Sequence, residues 1–119
     1  MKEVSYSVAE KFSKFPAGRV PEDGKYNGER FRNEVLIPLI EKNDIVHIFL
    51  DGTRGYGSSF LEESFGGLVR YFGPKAQDIL SKVHIKTKSL AYRSEIKSYI
   101  DDALKKEALK MIVEKDGDA

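Results

Sequence analysis

An almost wholly apolar run, Ile45-Val46-His47-Ile48-Phe49-Leu50, leads into the glycine-rich stretch Asp51-Gly52-Thr53-Arg54-Gly55-Tyr56-Gly57-Ser58-Ser59 and then into an amphipathic segment over 60–72. A short continuous apolar run suits a strand buried on both faces. Leu61, Phe65, Leu68, Val69 and Phe72 share one helical face, which predicts a helix packed on that strand. Strand, loop and helix in this order restrict the chain to folds in which a helix crosses back over a sheet. They also aim backbone N–H groups and the positive end of a helix dipole at one spot, beside two hydroxyls and Arg54.

The flanking elements extend this pattern. Val4, Tyr6 and Val8 alternate with Ser5 and Ser7, which predicts a half-buried strand continuing as a hairpin towards Phe12 and Phe15. The Pro- and Gly-rich stretch over 16–24 breaks any regular pattern. Asn27 is placed to cap a helix whose apolar stripe is Phe31, Val35, Leu36, Leu39 and Ile40. Pro38 lies inside that stripe and removes a donor at a cost of about 3 kcal/mol in a straight helix, so a kink or stop is expected there. Gly66 and Gly67 weaken the middle of the next helix, and close approach of a neighbouring backbone is the natural compensation. Gly73-Pro74 ends it. A helical turn over 76–81, a strand over 83–87 and a helix over 90–113 complete the order, with Ile96, Ile100, Ala103, Leu104 and Met111 facing inward. Three strand–helix alternations predict an α/β sandwich with helices packed on a central sheet. A single domain over 1–114 is expected, with 115–119 as a flexible tail.

Composition excludes several classes. The formal net charge is +1, too small to recruit nucleic acid or an anionic membrane. No apolar run reaches the eighteen or so residues of a membrane span, and the N-terminus lacks a signal-peptide core. With no cysteine, disulfides and thiolate chemistry are absent, which suits a cytoplasmic protein.

The loop nearly matches the phosphate-binding pattern G-x-x-x-x-G-K-[ST], but Ser58 stands where the lysine belongs. Nucleotide hydrolysis is therefore disfavoured, while binding of a nucleotide or small anion through Gly52, Arg54, Gly57 and Arg19 remains the alternative reading. Ser59 with Glu62 reads as a capping box. Ser58 precedes that cap and has no comparable structural role. Arg19, Arg30 and Arg32 have nearby acidic partners in Glu22, Asp23, Glu29 and Glu34. Asp51 ends the central strand, where site residues of open α/β sheets gather. His47 is expected as a hydrogen-bonded core histidine and His84 as an outward one. Neither a metal-ligand pattern nor a catalytic constellation is visible, and no cofactor is implied.

Pro16-Ala17-Gly18-Arg19, Asp23-Gly24, Asn27-Gly28-Glu29-Arg30-Phe31-Arg32, Leu36-Ile37-Pro38-Leu39 and the block Ser58-Ser59-Phe60-Leu61-Glu62-Glu63-Ser64-Phe65-Gly66-Gly67-Leu68 together resemble the bacterial STAS-like domain of unknown function. That family is related to the STAS domains of sulfate transporters and anti-sigma-factor antagonists. The resemblance covers about 4–103. It implies a STAS-like sandwich around a mixed sheet of about four strands. In regulatory STAS domains, a serine at the start of the corresponding helix is phosphorylated by a partner serine kinase with a histidine-kinase-type ATPase fold. The resemblance thus implies a small regulatory module that binds a protein partner through 52–59 and the following helix, with Ser58 or Ser59 as phosphoacceptor. Arg19, Asp51, Gly52, Arg54 and Gly57 are the expected partner- or anion-binding residues. The aspartate that precedes the paired serines in those relatives is replaced here by Gly57, and the glycine that follows them by Phe60.

Overall fold

The computed structural model describes residues 1–117. Among them three strands form one sheet, β1 (Glu3–Ser7), β2 (Ile45–Phe49) and β3 (Val83–Lys86), in the order β1-β2-β3. Both pairings are parallel, with Val4 opposite Val46, Tyr6 opposite Ile48, and Ile48 opposite Ile85. The mixed sheet of about four strands does not form among the described residues. Val8 leaves the strand direction because the Ser7 hydroxyl accepts from the Glu10 N–H at 3.3 Å and caps a helical turn, α1 (Val8–Lys11). The chain therefore turns away where a hairpin was expected, and 12–27 becomes a connection containing one 3₁₀ turn, Pro21–Asp23. The Asp23 carboxylate fixes this turn by accepting the N–H groups of Arg19 at 2.9 Å and Val20 at 3.2 Å. Gly18 serves it with a φ of 86°, a conformation that side chains disfavour.

Helix α2 (28–42) starts as expected, with the Asn27 Oδ1 accepting from the Arg30 N–H at 2.9 Å. Pro38 neither stops it nor breaks it. Just before the proline, Phe31–Leu36 is wound as a π-helix, and the Ile37 N–H donates to the Arg32 carbonyl. The donor pattern has already shifted by one residue where the proline enters, so the helix continues to Lys42. Helix α3 (58–72) contains a second π-helical stretch, Glu62–Gly66, with the Gly67 N–H donating to the Glu62 carbonyl. After a 3₁₀ turn at Gly73–Lys75 come α4 (Ala76–Leu80) and the long α5 (Leu90–Gly117). Helix α5 runs beyond the expected end near Val113. Met111, expected inside, is 49% exposed, because this part of the helix extends past the core. Of the tail expected over 115–119, residues 118 and 119 lie outside the described residues.

The core gathers on one side of the sheet. Val46 and Ile48 are fully buried there with Phe31, Phe60, Leu61, Phe65 and Leu68. Phe31 is its centre, with ring centroids of Phe12, Phe60, Tyr6 and Phe65 at 5.0, 5.7, 6.3 and 6.5 Å. These aromatic pairs add to area burial. Strand β2 is not buried on both faces, because Phe49 on the other side is 43% exposed. His47 belongs to that open side rather than to the core. Its ring lies 5.4 Å from that of His84, its Nε2 lies 2.9 Å from Glu3 Oε1, and its Nδ1 has no hydrogen-bond partner.

Helices α2 and α3 meet closely at their N-terminal ends. A Cβ on Gly28 would lie 2.7 Å from the Phe60 carbonyl oxygen and 2.9 Å from the Glu63 Cβ. Close backbone approach was expected at Gly66 and Gly67, yet the neighbours there are the side chains of Glu62 and Arg32. The glycine that admits a backbone is Gly28.

Candidate functional site

The loop after β2 folds back on the domain and uses its own N–H groups. The Arg54 N–H donates to the Lys14 carbonyl at 2.8 Å, the Gly55 N–H to Thr53 Oγ1 at 3.2 Å, and the Tyr56 N–H to the Tyr92 hydroxyl at 3.2 Å. Three donors that a phosphate cradle would aim at an anion thus have acceptors within the protein. Tyr56 anchors the loop by donating its hydroxyl to the Leu50 carbonyl at 2.6 Å, and burial pushes that hydroxyl up to about 12. Tyr56→Phe is expected to cost about 1 kcal/mol, the net value of one such bond, and somewhat more if the Leu50 carbonyl stays dry. The raised value makes the tyrosine's contribution complete below its ordinary 10.0 and lost as pH rises through about 12. Urea denaturation of both proteins at neutral and alkaline pH checks both statements.

Asp51 closes the same end of the sheet. Its carboxylate accepts from the Thr87 hydroxyl at 2.6 Å and the Lys88 N–H at 3.0 Å, tying the loop after β2 to the loop after β3. Those two bonds hold its carboxyl below the ordinary range. Gly52, at a φ of 103°, makes the turn that follows.

Helix α3 begins two residues earlier than the capping-box reading required. Gly57 is the N-cap, with a φ of −74° and a ψ of 153°, and no side chain caps the helix. Ser58 and Ser59 are therefore its first two helical residues. Ser59 does not perform the capping role, because glycine satisfies the extended cap geometry while supplying no acceptor. Ser58 is exposed, and its hydroxyl neighbours that of Tyr99 on α5; Ser59 is half-buried. The start of α3 is a surface-facing helix end with uncapped donors.

Arg19 lies elsewhere. Its guanidinium reaches Glu62 Oε1 at 2.5 Å and Glu63 Oε1 at 3.1 Å, rather than the acidic residues near it in sequence. Arg70 holds the other Glu62 oxygen at 2.8 Å, and Arg32 pairs with Glu63. Arg30 pairs with Glu34, one of its expected partners, at 2.5 Å. The Arg70 guanidinium, with Arg19 beside it, holds the Glu62 carboxyl below the usual range. These pairs fasten the 16–24 loop to α3 and border a shallow cleft of ≈ 320 Å³ that also includes Tyr99, Asp102 and Lys106. The structure thus brings Asp51, Gly52, Arg54, Gly57, Ser58 and Ser59 together at one corner and places Arg19 in a neighbouring ion-pair network.

Phe15 and Tyr92 complete the corner with Tyr56 of the 52–59 loop, and sequence reasoning assigned neither Phe15 nor Tyr92 to it. The Arg54 guanidinium lies 5.7 Å from the centroid of the Phe15 ring, which is 64% exposed. A usable signal was Phe15 itself, an apolar residue in a polar stretch just before Pro16. Among the described residues, no group of three or more His, Asp or Glu could hold a metal ion, and no helix is long and apolar enough to cross a membrane.

The fold and this corner define a small α/β domain whose notable surface is a glycine-rich loop feeding an uncapped helix. The chain belongs to the family described as the STAS-like domain of unknown function (DUF4325), whose family model matches residues 27–92, more than half of its length. No curated protein and no solved structure matches it.

Proposed function

We propose that this chain is a small cytoplasmic regulatory module without catalysis of its own. It docks a protein partner through 52–59 and the first turn of α3. The observation that carries this reading is the exposed, side-chain-uncapped start of that helix at Ser58. Donors left open at a helix N-terminus attract an acceptor or an anion from outside. Three preceding N–H groups, those of Arg54, Gly55 and Tyr56, already have internal acceptors, which favours a docking surface over a nucleotide cradle.

Ser58 is the better phosphoacceptor because it is exposed where Ser59 is half-buried. A phosphate there gains from the helix dipole. It would also sit one helical turn before Glu62, where it competes for Arg19 and Arg70. Phosphorylation in this reading changes the charge of the docking corner and releases or recruits the partner.

The family resemblance points to an ATPase of histidine-kinase type or a serine kinase as that partner. Incubation with ATP, magnesium and such an enzyme encoded beside this chain, read by intact mass, tests the switch. The expected result is one added phosphate, lost in Ser58→Ala and retained in Ser59→Ala. An unchanged mass would leave docking without the switch.

A further inference from the structure

Six arginines occur in the chain, and five have clear employment. Arg19, Arg30, Arg32 and Arg70 pair with carboxylates, and Arg93 donates to the Ile85 and Thr87 carbonyls, each at 3.1 Å. Arg54 alone, among the described residues, offers its guanidinium to no acceptor; it rests against the exposed ring of Phe15 instead. The pair is held in place by backbone, through the Arg54 N–H on the Lys14 carbonyl at 2.8 Å and the Phe15 N–H on Ser13 Oγ at 2.9 Å. Lys11 and Lys14 are exposed on the same segment, and neither has a carboxylate within salt-bridge distance among the described residues. Glu10 is the acidic neighbour in that stretch, and Asp51 is engaged by Thr87 and Lys88.

We infer that Arg54 and Phe15 form the recognition pair for an acidic segment of a protein partner. This rests on the reading of that corner as a docking surface. The rigid fork of a guanidinium matches a carboxylate through two parallel hydrogen bonds, and the ring beneath it offers an apolar side chain a place to pack. Arginine and aromatic residues held rigid at the surface are the side chains that dominate binding energy when an interface closes over them. Lys11 and Lys14 supply the surrounding field that speeds the encounter. Nucleic acid fits less well. Three cations are too few to follow a phosphate backbone, and a single exposed ring offers no row of stacking platforms for successive bases.

Fluorescence anisotropy with the full chain tests this, using a labelled peptide of alternating Glu and Leu. The same peptide with Lys for Glu and a short oligothymidylate serve as comparisons. The acidic peptide is expected to bind alone, more weakly as salt rises. Arg54→Glu should weaken it about tenfold and Phe15→Ala severalfold, with melting temperatures unchanged because both side chains are at the surface. Lys14→Glu, on the same exposed loop, should weaken it less. Equal binding of the Lys peptide, tighter binding of the oligonucleotide, or indifference to Arg54→Glu would overturn the inference. Capture of a partner by a cross-linker at Ser58 through an uncharged or basic segment would also overturn it, while leaving the docking surface standing.

Discussion

Phe31→Ala is expected to destabilise the protein by about 3–5 kcal/mol, the usual cost of emptying a large aromatic site in a core. Phe31 is fully buried and touches aromatic rings from three different parts of the chain, Tyr6 on β1, Phe12 after α1, and Phe60 and Phe65 on α3. Such a site collapses poorly because its walls belong to separate elements, which places the cost towards the upper end of the range. The functional consequence follows from position. Phe12 leads into the Phe15 segment and Phe60 lies in the first turn of α3, so the cavity would loosen the two sides of the proposed docking corner together. Urea denaturation gives the energy through the midpoint at unchanged slope. A loss below about 1 kcal/mol would mean that the cluster is not the centre of the core.

Gly28→Ala is expected to cost about 2 kcal/mol, within the range for forcing one extra carbon into a packed site. The added Cβ would meet the Phe60 carbonyl oxygen at 2.7 Å and the Glu63 Cβ at 2.9 Å, and a backbone atom cannot rotate away. Helices α2 and α3 must then separate, shifting the first turn of α3 that carries Ser58. Gly57→Ala is the instructive contrast. Its Cβ would meet nothing within 4 Å, and its φ of −74° suits any residue, so its stability should stay within about 0.5 kcal/mol of the parent. If Gly28→Ala is equally neutral, the helices do not approach as closely as described.

Much of the element order was legible because periodicity and punctuation agree. The β2 run, the Asn27 cap, the apolar stripe of α3 and the Gly73 stop each rest on local chemistry that tertiary context did not override. Failures occurred where context decided. Pro38 predicts a kink or a stop, and the helix does not stop there, because sequence reveals the missing donor but not the π-helical turn that precedes it. His47 sits between apolar neighbours, but the side of the sheet left open is set by where the helices pack, which alternation in one strand does not reveal. Ser59 with Glu62 matched a capping box, yet a shift of two residues made Gly57 the cap. The corner was legible as a segment, 52–59, and the long-range contacts that build it were not. Arg19 pairs with Glu62, 43 positions away, and Arg54 meets Phe15 across the connection that follows the neighbouring strand. Contacts of that range depend on how the 12–27 loop docks.

The claim that 52–59 and the start of α3 form a protein-docking surface is tested most directly by site-specific photo-cross-linking in the native host. A photoreactive amino acid is placed at Arg54 and Ser58, and at His84 and Lys105 as exposed positions outside that corner. A discrete protein adduct from positions 54 and 58, absent from 84 and 105, is the predicted result. No adduct from 54 and 58, or the same adduct from 84 and 105, would contradict it.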